Sequence, residues 1–306
     1  MRFTVPRAIT ATLLLAGTIT LAASSPAHAA TGPHIDFTPP AVVGAGLTAT
    51  DLPVEIDNTG GEFRWSVGLR LTVTPVAGSA VRPLASTLVL SYQFGSQWRP
   101  LTYVTRDGAL IATTPALTNA DADGTATIRL RLSAQPTSTA AHVDEMTVDV
   151  TTEAVDGSGV AFAADNEPDR VALVEPRAEL TGWPQQLPVG TPAVVTATFT
   201  NTTPLAYSIL RPALVLNRAG NAEVTVERRD GDEWTPVSGP SSSYFWWYAD
   251  GYPSLQPGES YTATLRVTFN DDAAAGEQGF AYLTGYTYFG YPFAVDIHPY
   301  TITARA

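Results

Sequence analysis

Nucleophilic and acid–base chemistry has few residues to use in this chain of 306 residues, which contains no cysteine and four histidines. Three histidines, His34, His142 and His298, lie beyond residue 30 and are far apart in the sequence. The chain has neither a Gly-x-Ser-x-Gly nucleophile elbow nor a His-Glu-x-x-His zinc motif. Without cysteine there is no disulfide and no thiolate metal ligand. The sequence therefore predicts a protein that is not an enzyme and has no cofactor.

Carboxylates cluster in short segments, of which Asn119-Ala-Asp121-Ala-Asp123-Gly124 is the closest to a metal site. Its spacing resembles the opening of a calcium-binding loop, in which the twelfth residue is a bidentate Glu. Counting from Asn119 or Asp121, that position is Leu130 or Leu132. Asp121 and Asp123 are thus weak calcium candidates, and a hairpin turn rich in Asp and Gly is the favoured interpretation.

An aromatic segment, Tyr244-Phe-Trp-Trp-Tyr248 with Tyr252 nearby, is the strongest sign of a binding surface. From Glu179 onward the chain holds 20 of its 29 aromatic residues. Alternation along a strand sends one row of these rings away from the core. That row is either covered by a neighbouring domain or loop, or stacks on sugar rings, or meets a protein partner. The ligand-binding hypothesis rests on Tyr244, Trp246, Trp247, Tyr248 and Tyr252.

The first 29 residues have the pattern of a secretory signal peptide. Arg2 and Arg7 precede the apolar run Ala8–Ala23, and Ala27-His28-Ala29 has small residues at both positions required for cleavage before Ala30. A membrane anchor is the alternative, but the run is shorter than the ~20 residues of a spanning helix. No second run of that length follows, so we expect no membrane insertion after cleavage.

The charge balance is acidic, with 29 Asp and Glu against 17 basic residues and a net charge of −12. Such a surface repels nucleic acid and anionic membranes. Apolar residues make up 44% of the chain and charged residues 15%, which is a globular composition. A secreted acidic protein whose partners are neither nucleic acid nor membrane is the expected class.

Beyond residue 30 the hydrophobic pattern alternates with a period of two, as in Leu69-Arg-Leu-Thr-Val and Thr264-Leu-Arg-Val-Thr-Phe269. Gly, Pro, Asn or Asp bound each such run. Short strands separated by turn residues are typical of antiparallel sandwiches. The fold class predicted is therefore all-β.

Four blocks of the chain recur in the same order, which indicates an internal duplication. Asn58-Thr matches Asn201-Thr, Gly-x-x-Trp98 matches Gly-x-x-Trp234, Thr-Ala-Thr-Ile-Arg129 matches Thr-Ala-Thr-Leu-Arg266, and Phe-Ala-Ala-Asp165 matches Phe-Ala-Val-Asp296, at offsets of 143, 136, 137 and 131 residues. The repeat divides the mature chain into domains 30–175 and 179–306, with a linker at about 175–179.

The shared blocks also predict local roles. Asn58 and Asn201 end a strand in a turn. Arg129 and Arg266 point outward from a half-buried strand. Trp98 and Trp234 follow a glycine turn in a hairpin, and we expect each to plug the end of a sandwich core.

A strand closing on Asn-Thr, a Gly-x-x-Trp hairpin and a late Thr-Ala-Thr strand together resemble tandem bacterial immunoglobulin-like modules of secreted and cell-surface proteins. The resemblance covers most of the mature chain and implies two antiparallel β-sandwiches that act as spacers, adhesion units or carbohydrate-associated domains. It implies no catalytic residues. The Cys…Trp…Cys core of antibody domains is missing.

The sequence thus predicts a secreted, non-catalytic binding or structural module, extracellular or loosely associated with the cell wall. Glycan or cell-wall polymer, bound by the second domain, is the first ligand to test, and another surface protein is the other partner considered. A pure scaffold with its aromatics buried between domains is one alternative, and a hydrolase of unfamiliar type is another. Ligand identity and oligomeric state stay open.

Overall fold

The computed structural model describes residues 33–59, 65–76, 87–135, 146–165, 167–208, 210–217, 224–237, 244–249, 253–270, 273, 275–286 and 292–305. The predicted signal peptide and Tyr252 lie outside these ranges. Over the described residues the regular structure consists of β-strands, mostly in antiparallel sheets, so the predicted all-β class is confirmed. These ranges contain no helix with the length and apolarity needed to cross a membrane.

The strands of the first half form two sheets. In chain order the strands are β1 (His34–Phe37), β2 (Val42–Gly44), β3 (Thr50–Asp57), β4 (Trp65–Pro75), β5 (Leu88–Phe94), β6 (Gln97–Pro100), β7 (Tyr103–Arg106), β8 (Ala109–Thr113), β9 (Thr118–Ala120), β10 (Thr125–Ala134), β11 (Met146–Val155), β12 (Ala161–Ala164) and β13 (Asp169–Val174). One sheet has the order β1-β3-β10-β5-β6. The other has the order β2-β13-β11-β4-β8-β7, with β12 paired to β11 and β9 to β4.

The second half repeats this arrangement. Its strands are β14 (Arg177–Thr181), β15 (Gln186–Pro188), β16 (Ala193–Thr200), β17 (Arg211–Asn217), β18 (Val224–Asp230), β19 (Glu233–Val237), β20 (Tyr244–Tyr248), β21 (Ser260–Phe269), β22 (Gln278–Tyr286) and β23 (Pro292–Thr303). They form the sheets β14-β16-β21-β18-β19 and β15-β23-β22-β17-β20. Each strand has a counterpart at the same place in the first half.

In both halves the opening segment divides between the two sheets. β1 and β14 pair antiparallel with the next long strand, whereas β2 and β15 pair parallel with the last strand of their half. This division ties the two layers together at one edge. The arrangement is consistent with two immunoglobulin-like β-sandwiches, here called the first sandwich (β1–β13) and the second sandwich (β14–β23).

Alternating burial along the strands produces one core in each sandwich. In β10 the pattern is apolar inward and polar outward from Ala126 to Leu132, and in β16 the inward residues are Val195, Ala197 and Phe199. Because successive side chains of a strand point to opposite faces, every second residue is available for a surface. The glycines Gly95 and Gly231, with φ of 60° and 61°, form the turns of the predicted β5–β6 and β18–β19 hairpins.

The paired tryptophans lie on outer sheet faces, so the prediction that they plug the cores is wrong. Trp98 and Trp234 are half-buried, and neither belongs to a core cluster. The guanidinium carbon of Arg131 lies 4.0 Å from the Trp98 ring centroid, and that of Arg266 lies 4.6 Å from Trp234. A cation over an aromatic face is attractive. Arg129 and Arg266 face outward as predicted, and the tryptophans share that side of their sheets.

The two sandwiches touch at a compact joint. Tyr207 of the second sandwich is fully buried, and its hydroxyl donates to the carbonyl of Val174, the last residue of β13, at 3.2 Å. Leu47 of the first sandwich packs, with Leu205, against the core of the second. A Cβ on Gly44 would come within 2.8 Å of the Tyr207 hydroxyl, so glycine leaves the room that the joint needs. Burial raises the pKa of Tyr207 above its usual range, which keeps the hydroxyl a donor.

The connection between the sandwiches is short. β13 ends at Val174 and β14 begins at Arg177, inside the segment predicted as the linker. Glu175 and Pro176 stand between them, and Thr31–Ala306 forms one compact unit. The domain bounds themselves stay a prediction.

Candidate binding surface

The aromatic segment forms an edge strand of the second sandwich. β20 pairs antiparallel with β17, in the register Tyr244↔Asn217, Trp246↔Val215 and Tyr248↔Ala213. The side chains of Tyr244, Phe245, Trp246 and Tyr248 lie outside the described part of the structure. The register shows where each backbone position lies in the sheet β15-β23-β22-β17-β20, here called the aromatic sheet.

Trp247 belongs to the core of the second sandwich and cannot serve as an open binding platform. Its side chain is 1% exposed. Its partner in the register is Leu214, which is fully buried in the same core cluster. Trp247 therefore does not lie on the predicted ligand-binding surface.

The burial of Trp247 fixes the parity of β20. Since neighbouring positions of a strand alternate between faces, Tyr244, Trp246 and Tyr248 occupy positions on the outer face. The sequence left both parities open. The structure thus keeps three of the predicted positions on one face, and Tyr252 lies outside the described residues.

Two further aromatic residues lie on the same outer face. Phe280 and Tyr282 of β22 alternate with the core residues Ala281 and Leu283. Phe280 is 44% exposed, Tyr282 is half-buried, and their ring centroids are 6.3 Å apart. Their spacing of two residues was visible in the sequence, but only the sheet order shows that β22 lies one strand away from β20.

The register connects these residues across the sheet. Val215 of β17 pairs with Tyr282 on one side and with Trp246 on the other. Val215 itself is buried although it belongs to the outer face, as are Ala213 and Thr284. The open part of the face therefore lies over β22 and β23, where Phe280 pairs with the exposed Pro299.

This face differs from the other three sheets in charge. The sheet β1-β3-β10-β5-β6 has Asp51 between Arg129 and Arg131, at 2.9 and 2.5 Å. The other outer faces carry cross-strand ion pairs as well, namely Arg70–Glu153, Arg170–Asp149 and Arg266–Glu227. On the aromatic sheet, Arg211 is the one charged residue among the described outward positions of β17, β22 and β23.

Those ion pairs perturb the acids that form them. A hydrogen bond from Arg131 lowers the pKa of Asp51, and one from Arg266 lowers the pKa of Glu227. Both carboxylates are therefore held in the charged form at neutral pH. These faces carry charges of both signs on neighbouring strands, whereas Arg211 is the one charged residue among the described outward positions of β17, β22 and β23.

The weak calcium candidates lie in a turn. Asp121 accepts through its backbone carbonyl from the Gly124 amide at 3.1 Å and from the Asn58 side chain at 2.8 Å. Asp123 has a φ of 55°, which is the left-handed conformation that turn Asp residues tolerate. No group of three or more His, Asp or Glu side chains suited to a metal occurs among the described residues.

Two of the three histidines form pairs with acids. His34 Nε2 lies 3.7 Å from Asp57, and His298 Nε2 lies 3.0 Å from Asp296. The same Asp296 carboxylate accepts the Leu180 amide of β14 at 2.7 Å. Asp296 therefore joins the two sheets of the second sandwich, and this accounts for its half-buried position. His142 lies outside the described residues.

A cavity of about 220 Å³ opens at the end of the β5–β6 hairpin. Its lining is mixed, with one charged side chain, and consists of Gln93, Gly95, Leu117, Thr127, Ile128 and Arg129. This lining lacks both the pair of acids that most glycoside hydrolases use and an acid with a histidine for general acid–base catalysis.

No family model matches the chain, and neither does any curated protein. Among solved structures, the C-terminal domain of the Streptococcus pyogenes antigen I/II-family protein AspA is similar over 89% of this chain and 99% of its own, with 9% identity and a TM-score of 0.39. AvmM, which catalyses macrocyclization in alchivemycin A biosynthesis, covers 47% of this chain and 89% of its own, with 12% identity and a TM-score of 0.34. Red sea bream transglutaminase covers 89% of this chain and 31% of its own, with 12% identity and a TM-score of 0.29. Similarities of this size carry no functional argument.

Proposed function

We propose that this protein is a secreted, non-catalytic binding module of the cell envelope or extracellular space, built by duplication of one β-sandwich domain. The N-terminal pattern supports export. The matching strand orders of the two halves and their four recurring sequence blocks support duplication. Release from the cell, or loose association with its wall, follows from a leader that is cleaved.

The observation that carries a binding role is the outer face of the aromatic sheet. On it, the positions of Tyr244, Trp246 and Tyr248 in β20 share a face with Phe280 and Tyr282 in β22, with β17 between the two strands. Aromatic faces stack on the apolar faces of sugar rings, and large exposed apolar patches mark interaction sites. Glycan or cell-wall polymer is therefore the proposed ligand.

The test is a polysaccharide pull-down with the mature chain and its Trp246→Ala variant. We expect retention of the wild type on at least one glycan or wall polymer, and weaker retention of the variant. Equal retention of both proteins would reject this surface as the site. Trp247→Ala is unsuitable for this purpose, because Trp247 is buried in the core and its loss would report unfolding instead of binding.

The joint between the sandwiches supports a scaffold role as a second candidate. Where the sandwiches meet, Tyr207 is buried and the half-buried Leu47 and Leu205 pack beside it, and the connection has two residues. A module whose two halves keep a fixed angle acts as a spacer without needing a small ligand. Small-angle scattering that fits a single conformation would support this role, and a broad distribution of shapes would contradict it.

A further inference from the structure

The open part of the aromatic sheet lies over β22 and β23. Its exposed centre is the pair Phe280 and Pro299, which face each other in the register, with the neighbouring pair Tyr282 and Ile297 half-buried beside them. These four residues are here called the Phe280 surface. Proline has no backbone N–H and presents an apolar ring, so the patch is apolar at its centre.

The described residues that border the Phe280 surface along β22 and β23 are polar without charge. Gln278 and Thr301 pair beyond Phe280 and Pro299, and Thr303 follows on β23. Amide and hydroxyl groups both donate and accept hydrogen bonds. A ring face bordered by such groups matches a hexopyranose, whose apolar C–H face is surrounded by hydroxyls that also donate and accept.

The charge of the surface distinguishes between neutral and anionic glycans as ligands. An anionic polymer requires cations at its site, as phosphate and carboxylate recognition shows. Arg211 is the one cation among the described outward positions of β17, β22 and β23, and it lies in the register opposite Tyr286, away from Phe280. The net charge of −12 adds a long-range repulsion. A neutral ligand needs no cation at its site and is not repelled by the net negative charge.

The extent of the face favours a chain over a single sugar. From Gln278 to Tyr282 the strand β22 advances by four residues, which amounts to about 14 Å at about 3.4 Å per residue. That span is greater than one pyranose ring. A ligand that lies along β22 and β23 therefore contains more than one sugar unit.

We propose that the Phe280 surface binds an uncharged polysaccharide, with Phe280 stacked on a sugar ring. The inference rests on the glycan-binding function proposed above and names both the class of ligand and the residue that contacts it. Phe280 was outside the set of residues that the sequence predicted. Its role does not depend on the conformation of the β20 side chains.

The experiment is affinity electrophoresis of the mature chain in matched neutral and anionic polymers. Hydroxyethyl cellulose and carboxymethyl cellulose share a backbone and differ in charge, and galactomannan, dextran and polygalacturonate extend the comparison. We expect retardation by at least one neutral polymer and no stronger retardation by the anionic ones. Phe280→Ala should weaken that binding about tenfold, as expected for a central aromatic contact.

Phe94→Ala is the matched control. Phe94 is 49% exposed, close to the 44% of Phe280, but it belongs to the first sandwich and lies 4.5 Å below the Arg99 guanidinium carbon. We expect Phe94→Ala to bind as the wild type does. Circular dichroism melting of both variants confirms that neither substitution unfolds the protein.

The outcomes separate the two proposals. Retardation by no polymer overturns the glycan-binding function and this inference together. Neutral binding that is lost in Trp246→Ala but kept in Phe280→Ala overturns the inference alone, as does stronger binding to the anionic polymers. A dimer in size-exclusion chromatography that Phe280→Ala dissociates would show that a second copy of the chain covers this surface, and would also overturn it.

Discussion

Removing the side chain of Asn201 tests how far the second sandwich depends on one buried amide. Asn201 is fully buried directly after β16. Its Nδ2 donates to the carbonyls of Leu205 and Leu255 at 2.7 and 2.9 Å. Its Oδ1 accepts from the amide and the hydroxyl of Thr203 at 3.1 and 2.8 Å. The one side chain therefore holds the turn after β16 against the segment around Leu255.

The magnitude follows from these four bonds. A neutral hydrogen bond contributes about 0.5–1.5 kcal/mol, and a buried group left unpaired costs about 1–3 kcal/mol. Asn201→Ala should lower the free energy of unfolding by about 2–4 kcal/mol, since water enters the vacated site and recovers part of the loss. In a domain of this size 1 kcal/mol shifts Tm by about 3 °C, so we expect a fall of roughly 6–12 °C.

Differential scanning calorimetry and urea denaturation of the mature chain measure this change. Thr198→Val is the control, because Thr198 lies on the outer face of β16 and its hydroxyl is exposed, so the expected change is within about 0.5 kcal/mol. Thr203→Val removes three hydrogen bonds of the Thr203 hydroxyl, one to Asn201 Oδ1 and two with the backbone of Leu205. Because the bond to Asn201 is lost in either single variant, the double variant should lose less than the sum of the two. The reasoning fails if Asn201→Ala melts within the error of Thr198→Val, or if the double variant is fully additive.

Four further substitutions test the core, an outer sheet face, the joint and one acid. Trp247→Ala truncates a core residue and should lower the free energy of unfolding by about 3–5 kcal/mol. Trp234→Ala on the outer face should lower it by about 1 kcal/mol or less. Urea denaturation of the two variants measures the difference. Tyr207→Phe removes the hydrogen bond to Val174 and should lower stability by about 1 kcal/mol, with a wider range of inter-sandwich angles in small-angle scattering. Burial raises the pKa of Asp169, so its ionisation opposes folding at neutral pH. Asp169→Asn should therefore raise Tm at pH 7, with a gain in the free energy of unfolding of less than about 1 kcal/mol after screening. This gain should vanish as the pH falls below about 3.9, where Asp is protonated in both the folded and the unfolded state.

The alternating apolar pattern sufficed to predict the all-β class and the glycine hairpins, because period and turn chemistry are local properties. Whether a tryptophan lies in the core is not a local property of the sequence. Trp98 and Trp234 sit in short hairpin strands, where a shift of one residue exchanges the two faces. The register beside Arg131 and Arg266 places them outside, and no feature of the Gly-x-x-Trp block shows it.

The same limit applied to the aromatic segment. Five consecutive large side chains in β20 give no parity of their own, so Trp246 and Trp247 were equivalent in the sequence. Pairing with Leu214 decides that Trp247 is the core residue. That Phe280 lies on the same outer face could be seen only from the sheet order. Phe280 is 32 positions after Tyr248 in the chain, while one strand lies between β22 and β20.

The corresponding outer faces of the two sandwiches differ in their side chains. The counterpart of the aromatic sheet in the first sandwich is β2-β13-β11-β4-β8, where β8 takes the place of β20 with the small segment Ala109–Thr113. Its outer face carries Arg70 paired with Glu153 across neighbouring strands. Both sandwiches have the same frame, so folding alone requires neither the ion pair nor the aromatic face. Because charged pairs keep a sheet face hydrated, and the described outward positions of the aromatic sheet are mostly apolar or uncharged, water is held less strongly there than on the corresponding face of the first sandwich.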